Sequence, residues 1–216
     1  MLSKTRPRPG FFVVAFAVAF DESIVYAVLE LKGGHMGLLI AGVLLWSGAH
    51  LFKRLLPESR AKLGSAGRGI VSIALVGSLV LMFLGYRHAA GPVLWIADPS
   101  LNMATNGLAL FAVYLMAASV GSTWITQKLP HPQLTAVKAW AIGHLLTNGT
   151  LASVLLFGGL LVWATLSVIL INRQDGKPSP VVTVSPAKEV VTGVAAVLAF
   201  GGIAFIHIAL GYPVFV

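Results

Sequence analysis

Two of the six histidines stand in the same local setting. "WSGAH" places Trp46 four residues before His50, and "WAIGH" places Trp140 four residues before His144. Residues at i and i+4 share a helix face, so an indole would flank each imidazole. Asn148 extends the second face by one more turn. A neutral imidazole is a good ligand for a metal ion or haem iron, and two of them on different helices could hold one iron from opposite sides. The alternative is that each histidine hydrogen-bonds a neighbouring helix and the tryptophan spacing is coincidence. Other chemistry is thinly represented. There is no H-E-x-x-H, no glycine-rich phosphate loop and no Ser/His/Asp set at a shared depth. Cysteine is absent, which removes disulfides, thiolate metal sites and a thiol nucleophile.

The elements that carry these residues follow from composition. Of 216 residues, 57% are hydrophobic and 10% charged, and the mean hydropathy is +0.88. A soluble domain carries about a quarter charged residues, so this chain belongs in a lipid bilayer. The predicted fold is all-α: a polytopic transmembrane helical bundle of six core helices plus an extra N-terminal helix. About 20 apolar residues cross a bilayer as a helix. Spans are predicted at 35–52, 68–86, 103–122, 151–171 and 189–211, with a shorter or tilted one at 136–149 closed by Asn148-Gly149 in the manner of a helix C-terminus. The extra segment, 11–31, is interrupted by Asp21 and Glu22, which are costly in lipid unless they face protein or water. It either crosses or forms an uncleaved, signal-like extension. The basic, acid-free "MLSKTRPRP" before it is also compatible with a targeting tail. Residues 172–188, with three prolines, read as an extended connector, and Gly158-Gly159 and Gly201-Gly202 as mid-span packing positions.

The formal net charge of +8 comes from short loops without a basic-aromatic stripe, which argues for membrane orientation and against nucleic acid. With the N-terminus in the cytoplasm, thirteen of the fifteen basic residues fall inside, and only Lys32 and Arg87 fall outside. The positive-inside rule then places the C-terminus outside. On this layout His50 lies about 5 Å and His144 about 9 Å from the cytoplasmic interface, at 1.5 Å per helical residue. They share a depth on different helices. His35 and His88 lie near the outer surface, His131 lies in the cytoplasmic "KLPHPQ" loop, and His207 sits toward the outer end of the last span. His88 and His207 are therefore predicted to be too far outward to pair with His50 or His144.

The run "HPQLTAVKAWAIGHLLTNGTLASVLLFGGLLVWA" at 131–164 resembles the signature region of the NnrU family of bacterial membrane proteins. "GAHLFKRLLP" at 48–57, "FLGYR" at 83–87, "GPVLW" at 91–95 and the terminal "GYPVF" fit the same pattern in the same order. The resemblance covers about 36–216 and divides the chain into an N-terminal extension, 1–34, and an NnrU-like transmembrane domain, 35–216. It implies an association with denitrification, specifically nitrite and nitric oxide reduction. Relatives include 15-cis-zeta-carotene isomerase, a membrane enzyme that uses haem b held by histidines, although "HLLTNGTLAS" looks bacterial rather than plant-like. Carried over residue by residue, the family's axial histidines match His50 and His144, and His131 matches a further histidine of its pattern.

The expectation is thus a multi-pass protein of the bacterial inner membrane that binds haem b through His50 and His144, with Trp46, Trp140 and Asn148 around them, for redox or isomerase-like chemistry. Two other readings stand beside it: a non-catalytic accessory or structural subunit of a larger respiratory membrane complex, and a 15-cis-zeta-carotene isomerase-like enzyme. The expected partners are the lipid bilayer and that larger complex, with no nucleic acid.

Overall fold

The computed structural model describes residues 34–120, 123–176, 184–212 and 214–215. The proposed segment 11–31 lies outside them. Among the described residues the chain is helical, with no strand beyond a single bridge, and it divides into two compact units at Ala90/Gly91.

The first unit is a helical hairpin: α1 (His35–Leu55), a short α2 (Pro57–Lys62) and α3 (Ala66–His88). Met36, Leu39 and Val43 bury one stripe of α1, and Ser78, Met82 and Gly85 bury one stripe of α3. These are i, i+3, i+7 and i, i+4, i+7 patterns, the spacing of a helix seam. The seam is tight because two glycines sit on it. A Cβ on Gly85 would lie 2.4 Å from the Leu39 backbone nitrogen, and one on Gly42 would lie 2.7 Å from that of Met82. Ile73, Val76, Val80 and Phe83 line the opposite, exposed face of α3. Lys53 and Arg54 occupy the last turn of α1, where cations complement the helix dipole.

The second unit begins with an extended stretch and a 3-10 turn, Pro99–Leu101, that leads into α4 (Asn102–Ala118). The Asp98 carboxylate accepts the Ser100 backbone N–H at 2.9 Å, which holds its pKa below the usual carboxylate value. Next come α5 (Trp124–Lys128), α6 (Pro132–Thr147), α7 (Leu151–Gln174) and α8 (Pro186–Ala209). Small residues let α4 and α6 approach closely: Ala112, Leu115, Ala136 and Ala139 form the core, wrapped by Leu108, Tyr114, Ile125, Leu129 and Trp140. Thr105 Oγ1 donates to the Gly143 carbonyl at 3.0 Å and ties the same two helices. Glu189, in the first turn of α8, accepts the Trp124 backbone N–H and a hydrogen bond from Tyr114.

Five described helices are long and apolar enough to cross a membrane: His35–Leu55, Ala66–His88, Pro99–Ala118, Leu151–Gln174 and Pro186–Ala209. Between 17% and 33% of the most apolar stretch of each is buried within the protein, so most of that surface is left for lipid. The protein is therefore an all-α polytopic membrane protein. The expected short span at 136–149 is the 16-residue α6. At 1.5 Å per residue it extends about 24 Å, less than the ~30 Å hydrocarbon core. The predicted connector 172–188 is shorter than expected, since α7 continues to Gln174 and α8 begins at Pro186.

The glycines also depart from expectation. Gly201 and Gly202 have no atom within 4 Å of an added Cβ, and Gly158 meets only Val154 of its own helix. The close approaches to a neighbouring backbone fall instead at Gly42, Gly85 and Gly149. Periodicity marks a glycine as mid-span but does not show which side of the helix meets a neighbour.

Candidate functional site

Both predicted Trp-His pairs form. In the first unit Trp46 and His50 have ring centroids 4.3 Å apart, and His50 Nδ1 lies 3.1 Å from the Trp46 carbonyl oxygen. In the second, the Trp140 and His144 rings are 5.0 Å apart, with Nδ1 3.0 Å from the Trp140 carbonyl. A carbonyl oxygen only accepts, so Nδ1 must carry the hydrogen in each imidazole. The lone pair then sits on Nε2. This is the tautomer of a metal-ligating histidine, whose other nitrogen is fixed by a second-shell acceptor.

The two imidazoles differ in setting. His50 is exposed on α1, whereas His144 is half-buried on α6. His144 sits in an aromatic nest with Trp140 and Phe157. The Phe157 centroid is 4.5 Å from the imidazole and 5.0 Å from the indole. Phe157 is 4% exposed and comes from a π turn, Val154–Gly158, inside α7. Such a turn admits one extra residue and re-aims the side chains that follow, and it recurs at functional sites. Nothing in the helical period of 151–171 singles out Phe157. The only local signal is the flexible Gly158-Gly159 pair directly after it.

Asn148, one turn after His144, acts as a helix stop. Its Nδ2 donates to the His144 carbonyl at 2.8 Å and to Thr147 Oγ1 at 3.3 Å. The expected glycine-type C-terminus does not form, because Asn148 is extended and Gly149 has no positive φ. A backbone clasp takes its place. Leu94 N–H and Trp95 N–H both donate to the Gly149 carbonyl, at 2.6 and 3.3 Å, and Leu151 N–H donates to the Pro92 carbonyl at 3.0 Å. Val93 bridges Thr150 in antiparallel fashion. Thr150 then caps α7 by accepting the Ser153 N–H at 3.2 Å. "GPVLW" and "TNGT", far apart in sequence, thus fix the turn that follows His144.

The remaining histidines divide between the ends of the helices. His131 precedes α6, and its Nε2 donates to Asn172 Oδ1 at 2.8 Å. Thirteen residues of helix place it about 20 Å from His144, so the structure does not gather these two. His207 Nδ1 donates to the Ile203 carbonyl at 2.8 Å, the same tautomer-fixing contact.

No group of three or more His, Cys, Asp or Glu side chains suited to a metal ion occurs among the described residues. Haem b needs fewer protein donors, since the porphyrin supplies four nitrogens and the protein one or two axial ligands. The donor chemistry fits that requirement: neutral imidazoles with Nε2 lone pairs beside aromatic walls.

Compared with known proteins, residues 38–214 match the family model described as "NnrU protein". No curated protein and no solved structure matches the chain.

Proposed function

The chain belongs to the NnrU family, and on that premise we propose that this multi-pass membrane protein binds haem b through Nε2 of His50 and Nε2 of His144. The observation that carries the proposal is the repeated contact in which Nδ1–H donates to the carbonyl of a tryptophan four residues earlier, in two separate units of the fold. Bound in this way, haem supplies one-electron redox chemistry, tuned by its axial ligands. The chain's own residues do the positioning. The Trp46 and Trp140 carbonyls fix the imidazole tautomers, and Phe157 packs on His144 and limits water at that ring. Asn148 and the clasp set the end of α6. His131 anchors the other end of that helix to Asn172.

The proposed setting is the bacterial inner membrane, with the C-terminus outside and a link to nitrite and nitric oxide reduction. The supports are the bias of basic residues toward one side and the resemblance of 131–164 to the denitrification-associated proteins.

Titration of the purified, tag-free protein with haem b, followed in the Soret region, tests this reading. Saturable binding that His50→Ala and His144→Ala each impair, and His207→Ala does not, supports it. Binding unaffected by His50→Ala or by His144→Ala refutes it, as does the lack of a Soret shift at any haem concentration. In that case, co-purification with a larger complex would support an accessory subunit. Turnover of a cis-carotene by the haem-loaded protein would support the isomerase-like activity.

A further inference from the structure

His35 opens α1 and His88 closes α3, so both stand at the end of the hairpin opposite α2, which carries Arg60 and Lys62, and the Lys53-Arg54 pair before it. Their rings lie 5.1 Å apart, centroid to centroid, at an interplanar angle of 43°. Both side chains are exposed. The tilt lies between a parallel stack and an edge-to-face pair, as it does for Trp46 and His50.

Metal coordination sets a different geometry. A zinc-nitrogen bond of about 2.1 Å places each imidazole centroid ~3.2 Å from the ion, so two ligands at a tetrahedral angle have centroids ~5.2 Å apart. Ligands on opposite sides of the ion would need ~6.4 Å. The observed separation matches the tetrahedral arrangement and is shorter than the opposed one requires. We propose that His35 and His88 form a two-imidazole site for a divalent transition-metal ion of the zinc, copper or nickel class, which staples the open end of the hairpin. Imidazole donors select these ions over calcium and magnesium, which prefer oxygen. With no third His, Cys, Asp or Glu in the group among the described residues, water completes the coordination shell and the ion stays exchangeable. Arg87, next to His88, lowers the affinity through its charge, an effect that solvent and salt screen at this exposed position.

The site is independent of haem binding and is tested with zinc alone. Isothermal titration of the haem-free, tag-free protein in detergent is expected to show one equivalent bound. His35→Ala and His88→Ala should each weaken binding at least tenfold, while His144→Ala leaves it intact. Zinc should also raise the melting temperature of the wild-type protein, and that rise should vanish in either variant. Because both side chains are exposed, equal metal-free melting temperatures confirm that the variants fold. A copper-loaded sample should show hyperfine coupling to two nitrogens. Unchanged zinc affinity in both variants, or copper coupled to a single nitrogen, overturns the proposal.

Discussion

Replacing Gly149 with alanine tests how the turn after His144 is built. The added Cβ would lie 1.9 Å from the Trp95 carbonyl oxygen, 2.8 Å from its carbonyl carbon and 2.9 Å from its Cδ1. Two of these atoms are backbone, so no side-chain rotation relieves the overlap. Gly149 has no positive φ, and alanine brings no backbone strain of its own. The clash must instead separate 92–95 from 149–151 and break three hydrogen bonds: Leu94 N–H and Trp95 N–H to Gly149, and Leu151 N–H to Pro92. At about 0.5–1.5 kcal/mol net each, the expected loss is about 2–4 kcal/mol. Gly201→Ala is the matched control. It has no atom within 4 Å of its Cβ and should gain up to about 1 kcal/mol of helix propensity. Reversible denaturant titration in mixed micelles, with helical circular dichroism as the signal, measures both variants. A Gly149→Ala protein as stable as the wild type would refute the clasp.

Other variants probe the helix contacts. Thr105→Val keeps the side-chain shape but removes the 3.0 Å bond to the Gly143 carbonyl. It should cost about 1 kcal/mol in the same titration. Gly85→Ala drives a Cβ to within 2.4 Å of the Leu39 nitrogen. Overpacking of this kind costs about 1–3 kcal/mol, and cysteine pairs placed across α1 and α3 should then cross-link more slowly. Asn148→Ala removes the donor to the His144 carbonyl. It should lower stability by about 1 kcal/mol and loosen the end of α6, seen as faster amide hydrogen exchange over its last turn.

The features legible in the sequence were those set by local periodicity. The apolar runs located the long helices, and the i, i+4 spacing of Trp46 with His50 and Trp140 with His144 placed each pair on one face. The clasp was hidden because 91–95 and 149–151 meet through backbone atoms, which leave no composition signal. Phe157 was hidden for a related reason: a π turn inserts a residue and breaks the period used to assign faces. Asn148-Gly149 did mark the end of α6, but the glycine serves a close approach to Trp95 rather than a left-handed cap.

Axial ligation by His50 and His144 has a direct spectroscopic readout. Near-infrared magnetic circular dichroism of the oxidised, haem-loaded protein reads the identity of both axial ligands. The wild type should show the bis-histidine signature, and both His50→Ala and His144→Ala should lose it. A bis-histidine signature that survives in either variant would contradict ligation by this pair.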